Sequence, residues 1–497
     1  MIVNSEQYDG SQLFAGLAQY TGLATDQFNF IMSQLVALGL ATLYRTVLHP
    51  SRTSTAVRHA FGLVFGMLIG YFCFGFQAIH LAGLPAVCYV VIITQNAHVM
   101  HGMVLIVALI YLSCLHLHRQ VYDYGSYGLD ISGPLMVITQ KVTSLAFSLH
   151  DGLTKKEEEM TNNQKYHAVY KTPSAIEYFS YTLMFPSLMA GPVIFFNDYI
   201  DFIEGKNYSK VQGSSKSAPV IVHEPSPVKI ICQKVSLALV CAIVFVKFLP
   251  IFPIRKVKEE NFLINTSVSY KFWYLTVSTT LVRFKYYFAW TIADAICNNC
   301  GIGFSGYAEN GSARWDKISN VDIFRFEFAT SLKESIEAWN KGTNTWLRML
   351  VYDRTKKYAT ILTYALSAIW HGFYPGYYLT FFSGAMFTFT SRVVRRHVRN
   401  HFTESRETKF LYDLITFAVT HFVLAYITFP FVLLEFWPSI ALYNQMFWCL
   451  HIACIFGYIF VPKVIPPSPP KNNSSSRGIA FALKQAGPYS TSVAHND

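Results

Sequence analysis

Long apolar runs separated by short polar intervals set the pattern of the chain. With about 20 apolar residues per bilayer crossing, the runs predict spans near residues 28–48, 61–76, 79–94 and 99–117. Later runs lie near 230–248, 272–292, 359–373, 377–390, 411–434 and 440–460. Two more, 131–149 and 176–196, are interrupted by Lys141, by Gly133-Pro134 and by Ala190-Gly191-Pro192. Irregular backbone at membrane depth persists only where protein or a water-filled cavity surrounds it, so these two predict poor lipid-facing helices. The expectation is an all-α polytopic membrane protein of about eleven or twelve crossings.

Composition sharpens that picture. The chain is 52% hydrophobic and 14% charged, against roughly 25% charged in a soluble protein, which excludes a soluble domain and a disordered chain. The net charge of +11 comes from Lys and Arg bunched beside apolar runs, a topological signal and not a nucleic-acid-binding face. Of the nine cysteines, Cys73, Cys88, Cys114, Cys241 and Cys454 fall inside apolar runs as small hydrophobes. The opening residues 1–26 lack the basic start, apolar core and cleavage site of a signal peptide. A transmembrane domain is expected over 27–461, followed by a Pro-, Ser- and Asn-rich tail over 462–497 that is expected to be disordered and cytosolic. The basic interval 391–409 is expected on the cytosolic side, and the mixed-charge loop 151–171 carries no assigned role.

Candidate chemistry begins in the polar interval 298–358. Over 332–351, Leu332, Ile336, Trp339, Trp346 and Leu350 form an apolar stripe. Lys333, Glu337, Asn340, Asn344 and Arg348 form the polar stripe beside it. The spacing predicts an amphipathic helix with a break at Gly342 and Thr343, where helix propensity drops. By itself such a helix belongs at a membrane surface. Further on, His371 sits in an apolar run ahead of Pro375-Gly376. A titratable group at membrane depth is a functional candidate, while a histidine bonded to a neighbouring helix is the plainer alternative. An imidazole can take a proton from an alcohol, and an amide such as Asn340 can orient a substrate or donate to an oxyanion, a pairing suited to acyl transfer. Basic residues including Lys341, Arg348 and Arg354 could meet a donor's phosphates or lipid headgroups. Motifs for a serine-hydrolase elbow, a zinc site or a phosphate-binding loop are absent from the sequence.

These residues also carry a resemblance. Trp339-Asn340, Trp346-Leu347 and Val351-Tyr352, followed by Trp370-His371-Gly372 and Tyr374-Pro375-Gly376-Tyr377, resemble the signature of the membrane-bound O-acyltransferase (MBOAT) family. The likeness is closest to its lysophospholipid acyltransferase branch. DISGPLMVITQKVTSLAFSLHDG from Asp130, the AGP at Ala190, NDYIDFIEGK from Asn197 and KYYFAWTIADA from Lys285 support it, and it runs over about 26–461.

The resemblance implies transmembrane and re-entrant helices around a catalytic chamber in the endoplasmic-reticulum membrane. It implies catalytic roles for His371 and Asn340, and Lys341, Arg348 and Tyr352 are candidate contacts to acyl-CoA. The expected reaction moves an acyl chain, unsaturated such as oleoyl, from acyl-CoA to the free hydroxyl of lysophosphatidylethanolamine, lysophosphatidylserine or lysophosphatidylcholine. No metal or permanently bound cofactor is expected. The alternatives are a protein or sterol O-acyltransferase on the same scaffold, and a polytopic transporter.

Overall fold

A computed structural model describes residues 8–125, 128–208 and 224–466; nearly all of the expected tail lies outside them. Among the described residues the only strands are Gly306–Tyr307 and Ala313–Arg314, paired antiparallel. The remaining regular structure is helical. The predicted apolar runs fall on Thr25–Thr46, Thr55–Phe74, Ile79–Thr94, Ala97–Tyr122, Val228–Phe248, Val268–Cys300, Ala359–His371, Pro375–Val398 and Arg406–Leu433.

Thr55–Thr94, Ala97–Tyr122, Val228–Lys258 and Arg406–Leu433 are long and apolar enough to cross a bilayer. Phe436–Gln445 and Cys449–Val464, bent by 75° at their break, make a fifth if taken together. The other expected crossings lie on helices that are shorter, more polar or interrupted. The helix Val228–Phe248 exposes Leu239, Val240, Ile243 and Val246, a face costly in water and native to lipid. The chain is a multi-pass membrane protein, and its nine cysteines are all unpaired.

The two interrupted runs explain each other. The helix Ser132–Thr154 is buried on every side from 138 to 149. Its Lys141 ammonium donates to the carbonyls of Tyr181 (3.1 Å) and Thr182 (3.3 Å) and to Ser187 Oγ (2.8 Å). Those carbonyls belong to the last turn of Ala175–Leu183, before the 3-10 turn Phe185–Ser187. A helix C-terminus leaves unbonded carbonyls and a partial negative charge. Lys141 is therefore the cation that caps a broken helix inside the protein, using all three of its donors.

The buried apolar side chains divide into two main clusters. One gathers the N-terminal helices around Ser132–Thr154 and includes Trp346 and Trp370. The other gathers the C-terminal helices around Tyr274, Phe326, Tyr426 and Tyr443, with Trp339 packed against it. The segments carrying Asn340 and His371 run along the seam.

Candidate active site

The polar interval folds into two helices, and the break lies two residues earlier than propensity suggested. Leu332–Ala338 ends, Trp339 is extended (φ −99°, ψ 134°), Asn340 is left-handed (φ 44°, ψ 54°), and Lys341–Leu350 begins. Asparagine is one of the few residues besides glycine that enters this conformation routinely, so the turn falls on Asn340 and not on Gly342 and Thr343. The carbonyls of Ile336 (2.5 Å) and Trp339 (2.9 Å) accept from Asn344 Nδ2, which closes the first helix. The Trp339 ring packs on Tyr286, Tyr287, Trp290 and Phe326 at centroid distances of 4.9–5.9 Å.

The Asn340 side chain is held by hydrogen bonds. Its Oδ1 accepts from Thr343 Oγ1 (2.9 Å) and from Asn320 Nδ2 (3.1 Å). Thr343 Oγ1 in turn accepts from Gln140 Nε2 (2.8 Å). Asn320 also takes up the next turn, its Oδ1 accepting from Gly342 N (3.0 Å) and its carbonyl from Lys341 N (2.8 Å). Among the described residues, nothing hydrogen-bonds to Asn340 Nδ2.

His371 is the last residue of Ala359–His371. Its Nδ1 lies 2.7 Å from the Ser367 carbonyl. A carbonyl only accepts, so Nδ1 carries the hydrogen and the neutral ring presents its lone pair at Nε2. That nitrogen makes no hydrogen bond to a described residue. Trp370, Phe381, Phe431 and Tyr377 surround the ring at 4.5, 4.9, 5.2 and 6.0 Å. Gly372 is required twice over: its φ is +111°, and an added Cβ would stand 3.0 Å from His116 Cγ. His116 Nε2 donates to the Trp370 carbonyl (3.1 Å), fixing the same turn. Pro375 opens the next helix, and at Gly376 a Cβ would collide with the Pro430 carbonyl at 2.0 Å. That close approach seats Phe431 against His371.

One helix carries both halves. Met136, Gln140 and Thr143 are spaced by four and three residues, so they share a face of Ser132–Thr154. The Met136 carbonyl accepts from Trp370 Nε1 (3.0 Å), Gln140 donates to Thr343, and Thr143 Oγ1 accepts from Trp346 Nε1 (2.9 Å). The rings of Trp346 and Trp370 lie 5.7 Å apart. The residue beside His371 and the turn after Asn340 are thus set against a single rigid element.

Of the candidate acyl-CoA contacts, Arg348 and Tyr352 come together, the guanidinium 5.3 Å from the ring centroid and 3.1 Å from Asp353. Lys341 opens the same helix about 10 Å away, two turns along. Arg354 has a different role. It forms a two-pronged pair with Asp151 (2.8 and 2.5 Å), whose side chain is 1% exposed and also meets Lys155 at 2.7 Å. Asp151 stands in the last turn of Ser132–Thr154, at the start of the interval expected to carry no role, and Arg354 also donates to the Met349 carbonyl, so the pair ties the end of the Lys341–Leu350 helix to Ser132–Thr154. Asn320, Gln140, Thr143 and His116 were also missed. Only Thr343, three residues from Asn340, had a spacing that could have pointed to it.

Comparison with known proteins gives concordant results. The MBOAT, membrane-bound O-acyltransferase family, profile matches residues 117–434. Lysophospholipid acyltransferase 6 of Drosophila melanogaster is 52% identical over 468 residues, 93% of this chain and 65% of that protein. Membrane-bound glycerophospholipid O-acyltransferase 1 of Mus musculus is 41% identical, covering 94% of this chain and 95% of its own. Membrane-bound glycerophospholipid O-acyltransferase 2 of Homo sapiens is 42% identical, covering 91% and 88%.

Proposed function

The chain belongs to the membrane-bound O-acyltransferase family, and from that premise we propose that it transfers a fatty acyl group from acyl-CoA to the free glycerol hydroxyl of a lysophospholipid. The names of its relatives support the acceptor class. Acyl-CoA as donor, an unsaturated chain such as oleoyl, ethanolamine, serine or choline headgroups, and the endoplasmic-reticulum membrane as location are parts of the same proposal.

The observation that carries the site assignment is the fixed tautomer of His371. With Nδ1 bonded to Ser367, Nε2 is the base that takes the hydroxyl proton as the oxygen attacks the thioester carbonyl. The new C–O bond forms, the C–S bond breaks, and the coenzyme A thiolate recovers the proton from the imidazolium. Both substrates react within one site, so no covalent acyl-enzyme is required. Asn340 serves the carbonyl oxygen or the hydroxyl during attack. Arg348 with Tyr352, and Lys341, are the candidate contacts for the donor's phosphates.

The test is a mass-spectrometric assay of membranes bearing wild type or His371→Ala, supplied with isotope-labelled oleoyl-CoA and mixed lysophospholipids. Diacyl product from wild type alone is expected. Equal product from both would remove His371 from the chemistry, and label found only in protein or steryl ester would replace the acceptor.

A further inference from the structure

We propose that Asn320 is a positioning residue that holds Asn340 as a hydrogen-bond donor toward the reacting acyl group, a role that rests on the acyl-transfer reading above. The assignment starts from a backbone group, whose identity is not in question. Gly342 N–H donates to the Asn320 side chain at 3.0 Å, so the atom it meets is the carbonyl oxygen Oδ1. The other end of that amide is therefore NH₂, and it faces Asn340 at 3.1 Å. Two NH₂ groups cannot face one another, so Asn340 turns its Oδ1 toward Asn320. Thr343 agrees: it accepts from Gln140 Nε2 (2.8 Å), and its own hydrogen goes to the same Oδ1 (2.9 Å).

The consequence is chemical. Both described partners of Asn340 occupy its acceptor end, which leaves Nδ2 with its hydrogens for a substrate. An amide presented this way does not accept a hydrogen from the attacking hydroxyl. It donates to oxygen that gains negative charge, which in acyl transfer is the thioester carbonyl as the tetrahedral intermediate forms. Asn320 is 7% exposed and comes from the loop ahead of the Ile323–Glu327 helix. It touches the Asn340 amide and the turn after it, so its effect on the reaction runs through Asn340.

Aspartate substitutions separate this role from a merely structural one. Asn320→Asp keeps an acceptor for Gly342 N–H but has no donor for Asn340, whose amide is then free to turn its NH₂ toward the new carboxylate. In membranes bearing the full chain, with oleoyl-CoA and lysophospholipid, we expect kcat to fall about ten- to hundredfold with KM for both substrates within about twofold. Asn340→Asp keeps both bonds to Oδ1 and loses the NH₂, so it should lose as much activity as Asn340→Ala. Asn320→Asp added to Asn340→Ala should cost nothing further, the signature of two residues acting as a unit.

Wild-type kcat in Asn320→Asp beside an inactive Asn340→Ala overturns the positioning role and leaves the acyl-transfer reading standing. Full activity in both His371→Ala and Asn340→Ala overturns that reading instead. If Asn320→Asp does not accumulate as folded protein, Asn320→Ala removes the same donor to Oδ1 without adding a charge and is read in the same assay. An unchanged kcat there overturns the proposal, and a severalfold loss at unchanged KM supports it.

Discussion

The two halves of the site are built by opposite means. The His371 imidazole is held by packing: four aromatic rings around it, one bond to the residue's own helix, and glycines at 372 and 376 that let neighbouring segments close in. The Asn340 turn is held by a chain of side-chain hydrogen bonds through Asn320, Thr343 and Gln140. The difference follows from what each group has to do. A proton acceptor needs its lone pair aimed and left unbonded, which an aromatic cage achieves because rings offer no strong hydrogen bond. An amide looks nearly the same from both ends, so packing cannot choose which end faces the substrate, and only directional bonds can.

If the comparison holds, the largest effect belongs to the caged base. His371→Ala should lower turnover by about 10²–10⁴-fold or more in the mass-spectrometric assay, with expression and membrane insertion close to wild type. A loss of folded protein in proportion to activity would instead make His371 part of the packing.

The next effect tests the scaffold that the halves share. Arg354→Met leaves the Asp151 carboxylate, 1% exposed, with Lys155 as its remaining described cation. Breaking a buried pair by removing one partner costs about 3–5 kcal/mol, so the thermal midpoint of detergent-solubilised protein should drop clearly and both turns should loosen together. A stable variant with activity lost would show that Arg354 touches substrate after all.

A smaller change separates the halves. Gln140→Leu removes the donor to Thr343 without touching Trp370 or Trp346. A single buried hydrogen bond lost is worth about 1–3 kcal/mol, and here the loss should appear in kcat, through the Asn340 amide, more than in stability. Equal damage to thermal midpoint and kcat would mean the bond serves only to pack the helix.

The same contrast decides what the sequence revealed. The His371 half was legible because its determinants are local: an apolar run, the Trp370-His371-Gly372 string and a Pro375-Gly376 start lie within seven residues of one another. Asn340 was found as part of a motif, but its orientation was not. Gln140 and Thr143 lie two hundred residues upstream in a stretch that carries the resemblance without giving either a role, and Asn320 stands in a loop with no periodicity to mark it. The break was misplaced because propensity weighs Gly342 and Thr343, whereas the left-handed turn is fixed by the hydrogen bonds around Asn340. Lys141 reads in the sequence only as an interruption of an apolar run, and the broken helix ending at Leu183 shows what it caps.

The smallest predicted effect concerns pH and reaches only the hydrogen-bonded half. Lys317, three residues before Asn320, meets the buried Asp198 carboxylate at 2.7 Å, and Tyr166 donates to it at 2.7 Å. Burial alone would raise the Asp198 carboxyl; Lys317, Tyr166 and His167 outweigh that and hold it below its ordinary value of 3.8. A carboxyl depressed by folding stabilises the native state fully above its ordinary value, and the contribution fades as pH falls further. His167, pushed down to about 4 by burial, titrates in the same range, so the informative quantity is the difference between wild type and Asp198→Asn. That variant should melt below wild type at pH 7, and the gap should narrow toward pH 3, with kcat falling while the intact His371 turn keeps KM steady. A gap that stays constant across that range would mean the Asp198–Lys317 pair does not anchor the Asn320 loop, which would then be held by Asn320's own bonds to Asn340, Lys341 and Gly342.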